Sequence, residues 1–303
     1  MNVGVDPRSQ ICAVVVTYFP KSELAANLSA LAPQVARIIV IDNGSDDRTL
    51  AFIEAAAGSV GATVVALRRN SGVAHALNVG LDFARRNGFR WLATFDQDSS
   101  AAESMFADML QVAQHYPSLE RVAVVAPMHV DQRLGIGLQQ SHDPAKTGRD
   151  YRLLYSTMTS GNLVAVEAAA AVGGFDDSMF IDYVDHEFCL RLRHHHYQIL
   201  EARNVRLLHS LGAMTSHRLL WKRMSVTNHP GNRRYYMTRN RSLLWVRYWG
   251  SEGAWVRSDL WGFIVELTGM MLFEADRVAK LVMICKGFLD ALRGVSGPLK
   301  SPT

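Results

Sequence analysis

Short apolar and β-branched runs at 11–16, 38–41, 63–67, 91–95 and 122–126 alternate with longer stretches, near 22–31, 46–57, 72–86 and 103–115, in which apolar positions recur at helical spacing. This alternation predicts an α/β fold: a doubly wound, mainly parallel sheet flanked by helices and joined by right-handed crossovers. Ligands of such sheets gather at the carboxyl ends of the strands.

Polar residues follow four of the runs: Thr17-Tyr18, Asp42-Asn43-Gly44-Ser45, Arg69-Asn70-Ser71-Gly72 and Asp96-Gln97-Asp98. Each has an ordinary reading as a turn or helix cap. Together they face one sheet edge and can converge on one ligand. Two carboxylates one residue apart can hold a divalent cation, and that cation can hold a diphosphate.

The second half changes character. Ser160-Gly161-Asn162 precedes another apolar run, and Phe180-Ile181-Asp182-Tyr183-Val184-Asp185-His186-Glu187 leads into a helical pattern at 188–193. Asp185 there is either a helix cap or a general base. His194-His195-His196 reads as a solvated helix end, because consecutive helical residues point in different directions. His209, after the strand-like 205–208, is either structural or the imidazole that completes a carboxylate metal site. Through 255–292 the polar residues Asp259, Glu266, Glu274, Arg277 and Lys280 share one helical face, with Lys286, Asp290 and Arg293 roughly opposite. Two helices, or a break near 281–286, are expected, either packed on the core or lying on a membrane surface.

At 303 residues and 49% hydrophobic content, the chain can bury one large core or two smaller ones. Cys12, Cys189 and Cys285 lack metal-ligand spacing and fit a reducing compartment. Neither a signal-peptide pattern nor a bilayer-length apolar stretch is recognised, so a cytoplasmic address is expected. The net charge of +4 is unevenly spread, since ten Lys or Arg residues and no Asp or Glu lie between Arg203 and Ser251. With Trp221, Tyr235, Tyr236, Trp245, Tyr248 and Trp249 interleaved, the segment fits an anionic membrane surface or a diphosphate-bearing lipid; a solvated face is the alternative. It carries no recognisable nucleic-acid module, and no nucleic-acid partner is expected.

Taken together, 14–18, 40–45, 70–74, 95–98 and 184–191 resemble glycosyltransferase family 2, in order and interval. The Asp-Gln-Asp-Ser run, 180–185 and 233–240 are similar to its bacterial rhamnosyltransferase branch, of O-antigen, rhamnan or rhamnolipid synthesis. The resemblance implies a GT-A fold, with a Rossmann-like nucleotide-binding half near 10–125, an acceptor half near 126–250 and a C-terminal helical segment at 251–303. It implies that Thr17, Asp42, Asn70 and Asp96 bind the nucleotide, that Asp98 and His209 contact Mg²⁺ or Mn²⁺, and that Asp185 is the catalytic base. Val184 replaces the family's commoner Glu, leaving Asp182 or Glu187 to help. Ser160, Gly161, Asn162, Arg233 and Arg234 are the remaining candidates for acceptor or sugar binding. The activity implied is inverting transfer of L-rhamnose from dTDP-β-L-rhamnose to a lipid-linked glycan or glycolipid, at the inner face of the cytoplasmic membrane. A donor such as UDP-galactose or UDP-glucose is the alternative.

Overall fold

The computed structural model describes residues 6–131, 142–209, 215–219 and 222–299. The chain forms two compact units, one of residues 1–177 and 184–210, the other of 178–183 and 211–303.

The first unit is built on a nine-stranded sheet of order β3-β2-β1-β4-β8-β5-β9-β7-β6. Its strands are β1 (Ile11–Thr17), β2 (Arg37–Asp42), β3 (Thr63–Ala66), β4 (Trp91–Asp96), β5 (Val122–Asp131), β6 (His142–Thr147), β7 (Tyr151–Leu154), β8 (Asn162–Ala165) and β9 (Gln198–His209). β3, β2, β1 and β4 are parallel, as the alternating runs predict. Beyond them the sheet is mixed: β8 enters antiparallel between β4 and β5, while β5 and β9 run parallel. The direction of so short a buried strand leaves no trace in its apolar pattern.

Helices α1 (Leu24–Leu31), α2 (Asp47–Gly58), α3 (Val73–Arg86), α4 (Met105–His115), α5 (Val166–Ala171) and α6 (Val184–His194) complete the unit. The period-2 alternation of β1 sends Ile11, Ala13 and Val15 into one core layer with Leu24, Leu28, Ile53 and Phe106. Val14 points the other way, against Gly80 of α3, where an added Cβ would lie 2.7 Å from the Val14 Cβ.

The second unit comprises the hairpin β10 (Thr215–Leu219) and β11 (Lys222–Val226) and helices α7 (Gly231–Tyr248), α8 (Gly253–Phe273) and α9 (Arg277–Leu292). The expected pair of C-terminal helices is present, but its break falls at 274–276, with Asp276 left-handed at φ 54, instead of 281–286. The charged residues explain the difference. Both helices turn carboxylates inward, Asp259 and Glu266 from α8 and Asp290 from α9, while Arg277, Lys286 and Arg293 of the same polar faces stay exposed. Nor does the basic segment form one solvated surface. Arg234, Arg239 and Arg241 of α7 are buried, and their charges are spent inside the unit.

Candidate active site

Strand register brings the predicted nucleotide-binding residues to one edge. Thr17 pairs with Asp42 across β1/β2, and Val16 with Asp96 across β1/β4. The buried Asp42 carboxylate accepts from the amides of Gly44 (3.2 Å) and Ser45 (3.0 Å) and from the Ser45 hydroxyl (2.6 Å). The Thr17 hydroxyl lies 3.5 Å from it. These bonds fold the loop after β2 into a tight turn.

That turn is tied to the loop after β3. The Asn43 side-chain amide donates to the Asn70 side chain at 3.2 Å, and the Ser71 amide donates back to Asn43 at 2.9 Å. Asn70 also accepts from the Gly72 amide at 3.0 Å, where α3 begins. The loops approach so closely that a Cβ on Gly44, whose φ is +98, would lie 2.6 Å from the Asn70 nitrogen.

At the tip of β4, Asp96 is half-buried and Asp98 exposed. Gln97 between them accepts from the Tyr18 amide at 2.7 Å, and its own carbonyl accepts from Asn27 at 3.0 Å. Behind Asp96, the Ser160 hydroxyl accepts the Asp96 amide at 3.0 Å and donates to Ser99 at 2.8 Å. His129 donates through Nε2 to the Ser160 carbonyl at 2.8 Å, Gly161 donates its amide to Thr94 at 2.6 Å, and Asn162 donates to the Met158 carbonyl at 2.8 Å. The buried turn 160–162 therefore braces the strand that carries the acidic pair.

Asp185 lies half-buried in the first turn of α6, where its carboxylate accepts the His186 amide at 2.8 Å. Glu187, two residues further on in the same turn and fully buried, pairs with Arg191 at 2.7 Å. Arg191 also donates to the carbonyls of Val172 and Gly174. Asn78 of α3 grips the same turn through both polar atoms of Phe175, at 2.8 Å each. Glu187 thus anchors the start of α6. Burial pushes the Cys189 thiol on this helix up to about 12, which leaves it unreactive near neutrality.

In the second unit the motifs at 180–185 and 233–240 meet through residues 180–182. The Phe180 ring stacks on Tyr236 at 5.3 Å, Arg233 pairs with Asp182 at 2.9 Å, and the Asn240 amide donates to the carbonyls of Met179 (2.9 Å), Ile181 (2.9 Å) and Asp182 (2.8 Å). Arg234 is buried between Glu266 and Glu274. His209 ends β9 opposite Asp131 of β5, and its side chain lies outside the described residues.

Several residues of this framework escape sequence reasoning. Gln97 looks like a spacer between acids, Ser99 and Asn78 act only across the fold, and so do the bonds from Arg191 to Val172 and Gly174. His129 carries a faint signal, a polar residue inside an otherwise apolar strand.

A divalent cation fits the chemistry of the donor set. Among the described residues no group of three or more His, Cys, Asp or Glu could enclose a metal ion. Mg²⁺ and Mn²⁺ bound by one or two carboxylates commonly complete their shells with water and substrate phosphate, and the exposed Asp98 carboxylate is an oxygen ligand of the kind they take.

Residues 12–159 match the family model of glycosyl transferase family 2. The chain is 25% identical to dTDP-rhamnosyl transferase RfbF of Shigella flexneri, over 95% of this chain and 97% of that protein. It is 26% identical to galactofuranosyltransferase GlfT1 of Mycolicibacterium smegmatis, over 77% of this chain and 82% of the other. The crystal structure of GalNAc-T7 with UDP, GalNAc and Mn²⁺ shares the fold at a TM-score of 0.60 and 12% identity; the alignment spans 95% of this chain but 56% of that one.

Proposed function

Since this chain is a family 2 glycosyltransferase, we propose that it transfers L-rhamnose from dTDP-β-L-rhamnose to a hydroxyl of a lipid-linked glycan or glycolipid, with inversion at the anomeric carbon. The observation that carries the donor assignment is the end-to-end likeness to a dTDP-rhamnosyl transferase.

In this reading Thr17, Asp42, Asn70 and Asp96 hold the nucleotide at the carboxyl edge of the sheet. Asp98, with His209, holds Mg²⁺ or Mn²⁺. Such a cation, when bound, offsets charge that develops on the diphosphate as the sugar leaves. Asp185 takes the proton of the acceptor hydroxyl at a carboxylate oxygen. The hydroxyl oxygen bonds to the anomeric carbon from the face opposite the nucleotide, the bond from that carbon to the phosphate oxygen breaks, and an α-L-rhamnoside and dTDP result. The brace at 160–162 and the Glu187–Arg191 pair keep the two ends of this site rigid. We assign no substrate contact to Glu187 or Arg234, whose charges are met by interior partners.

Likeness to a galactofuranosyltransferase favours a second reading, in which the donor is another nucleotide sugar such as UDP-galactose or UDP-glucose. A panel of nucleotide sugars, assayed with Mg²⁺ or Mn²⁺ and membrane-extracted acceptor, separates the two. Rhamnose transfer from dTDP-rhamnose alone is the expected result. Transfer from a UDP-sugar, with none from dTDP-rhamnose, overturns the donor assignment.

A further inference from the structure

The helical unit buries most of its carboxylates beside an apolar interior that includes Leu244, Trp255, Val256 and Met270, and leaves a second set of apolar side chains outward. Glu274 is fully buried between Arg234 (2.6 Å) and Lys280 (2.7 Å). Asp259 accepts from Tyr183 and Trp245 at 2.7 Å each, and Asp290 accepts from Tyr235 at 2.8 Å. Glu266 receives Arg241 at 3.0 Å. An aromatic cluster of Trp245, Phe263 and Phe288 joins the three helices.

The outer faces are the reverse. On α8, Trp261 is 67% exposed, Ile264 52% and Leu272 46%; on α9, Val278 is 77% exposed, Val282 59% and Leu292 82%. Their spacing follows one side of each helix. Isolated exposed apolar residues are ordinary, but two continuous stripes of them are not.

The exposed charges along α7, α8 and α9 are mostly of one sign. Across 226–299, Arg233, Arg247, Arg257, Arg277, Lys286 and Arg293 are exposed, Arg233 pairing with Asp182 and both Lys286 and Arg293 with the single carboxylate of Asp290, whereas Asp276 is the one exposed carboxylate in that span. We infer that the outer faces of α8 and α9 dock on an anionic lipid surface, with the apolar stripes entering the headgroup boundary and the cations above them meeting lipid phosphates. A second copy of the chain fits less well. A two-fold interface sets a patch against itself, which would confront these cations with one another. No helix of the described residues is long and apolar enough to cross a membrane, so contact is along the surface.

This deepens the proposed use of a lipid-borne acceptor, but it rests on exposure and charge and is independent of the donor. The test is flotation of the full chain with vesicles of phosphatidylcholine, alone or mixed with phosphatidylglycerol. Binding to the mixed vesicles is expected, weakening as salt rises. Trp261→Glu with Val282→Glu should lower the partition coefficient about tenfold or more, with a retained urea-unfolding midpoint as the sign of a folded chain. Arg257→Gln and Arg293→Gln should each lower binding to the mixed vesicles by about fivefold and leave neutral vesicles unaffected. Absence of binding to either vesicle overturns the inference, as does equal binding by the Glu variant. A soluble dimer that the Glu variant dissociates, without vesicle binding by the parent chain, assigns the face to a second copy instead. Loss of vesicle binding with intact rhamnose transfer to a water-soluble acceptor leaves the activity standing, so the two proposals fail separately.

Discussion

The side-chain oxygen of Gln97 accepts the backbone amide of Tyr18 at 2.7 Å and so joins the tips of β4 and β1. Removing it in Gln97→Ala frees the strand ends that frame the nucleotide site. One hydrogen bond of this kind is worth about 1 kcal/mol net. The expected outcome is a stability loss of that order and about fivefold weaker dTDP-rhamnose binding by calorimetry. Unchanged affinity would show that the tie plays no part in binding.

Gly44→Ala should be more damaging. The position has φ +98, and the new methyl group would run into the backbone of Arg69 and Asn70. Left-handed strain and the clash together predict a loss of about 2 kcal/mol or more. Urea unfolding measures it, and an unchanged midpoint would disprove the close approach of the two loops.

Asp185 and Glu187 make a discriminating pair. Asp185→Asn is expected to lower turnover about 100-fold or more with little change in unfolding midpoint. Glu187→Gln leaves Arg191 without its ion-pair partner and should cost about 2 to 3 kcal/mol, below the full buried-pair figure because Arg191 is partly exposed. If Glu187→Gln alone abolished turnover in a protein of normal stability, the base would be Glu187.

His229 makes stability depend on acidity. Burial, reinforced by Arg233 and Arg234, lowers it from 6.5 to about 4. Above 6.5 the ring is neutral in both states. As the pH falls from 6.5 toward 4 the unfolded chain takes up a proton that the folded chain refuses, so folding weakens across that window. Urea midpoints at successive pH values should show this decline, and His229→Gln should flatten it. An identical decline in the variant would point to another group.

The strands and helices of the first half are legible because buried parallel strands and amphipathic helices leave different periods. Thr17, Asp42 and Asp96 could be placed together because parallel strands end at one edge. What the pattern hides is direction and partnership. Nothing in 162–165 says that β8 runs antiparallel between β4 and β5. Arg234, Arg239 and Arg241 look like surface cations until Glu266 and Glu274 turn to meet Arg234, Asp259 and Glu266 to meet Arg241, and the carbonyls of Ser178, Met179 and Gly297 to meet Arg239. Gln97 acts through contacts between residues distant in sequence, as Arg191 does where it reaches Val172 and Gly174, and a linear pattern does not encode these.

The inward-facing carboxylates also make segments translated at different times depend on one another. During synthesis α7 is made first, and Arg234 and Arg241 must wait for Glu266 and Glu274. Arg239 donates to the carbonyl of Gly297 at 2.6 Å, and the Gly297 amide donates to the Ser178 carbonyl at 2.7 Å. The segment at Gly297 thus secures, through Arg239 and Ser178, a helix and a loop that were both made long before it. Truncating the chain ahead of Gly297 would be felt at Ser178, far upstream of the cut.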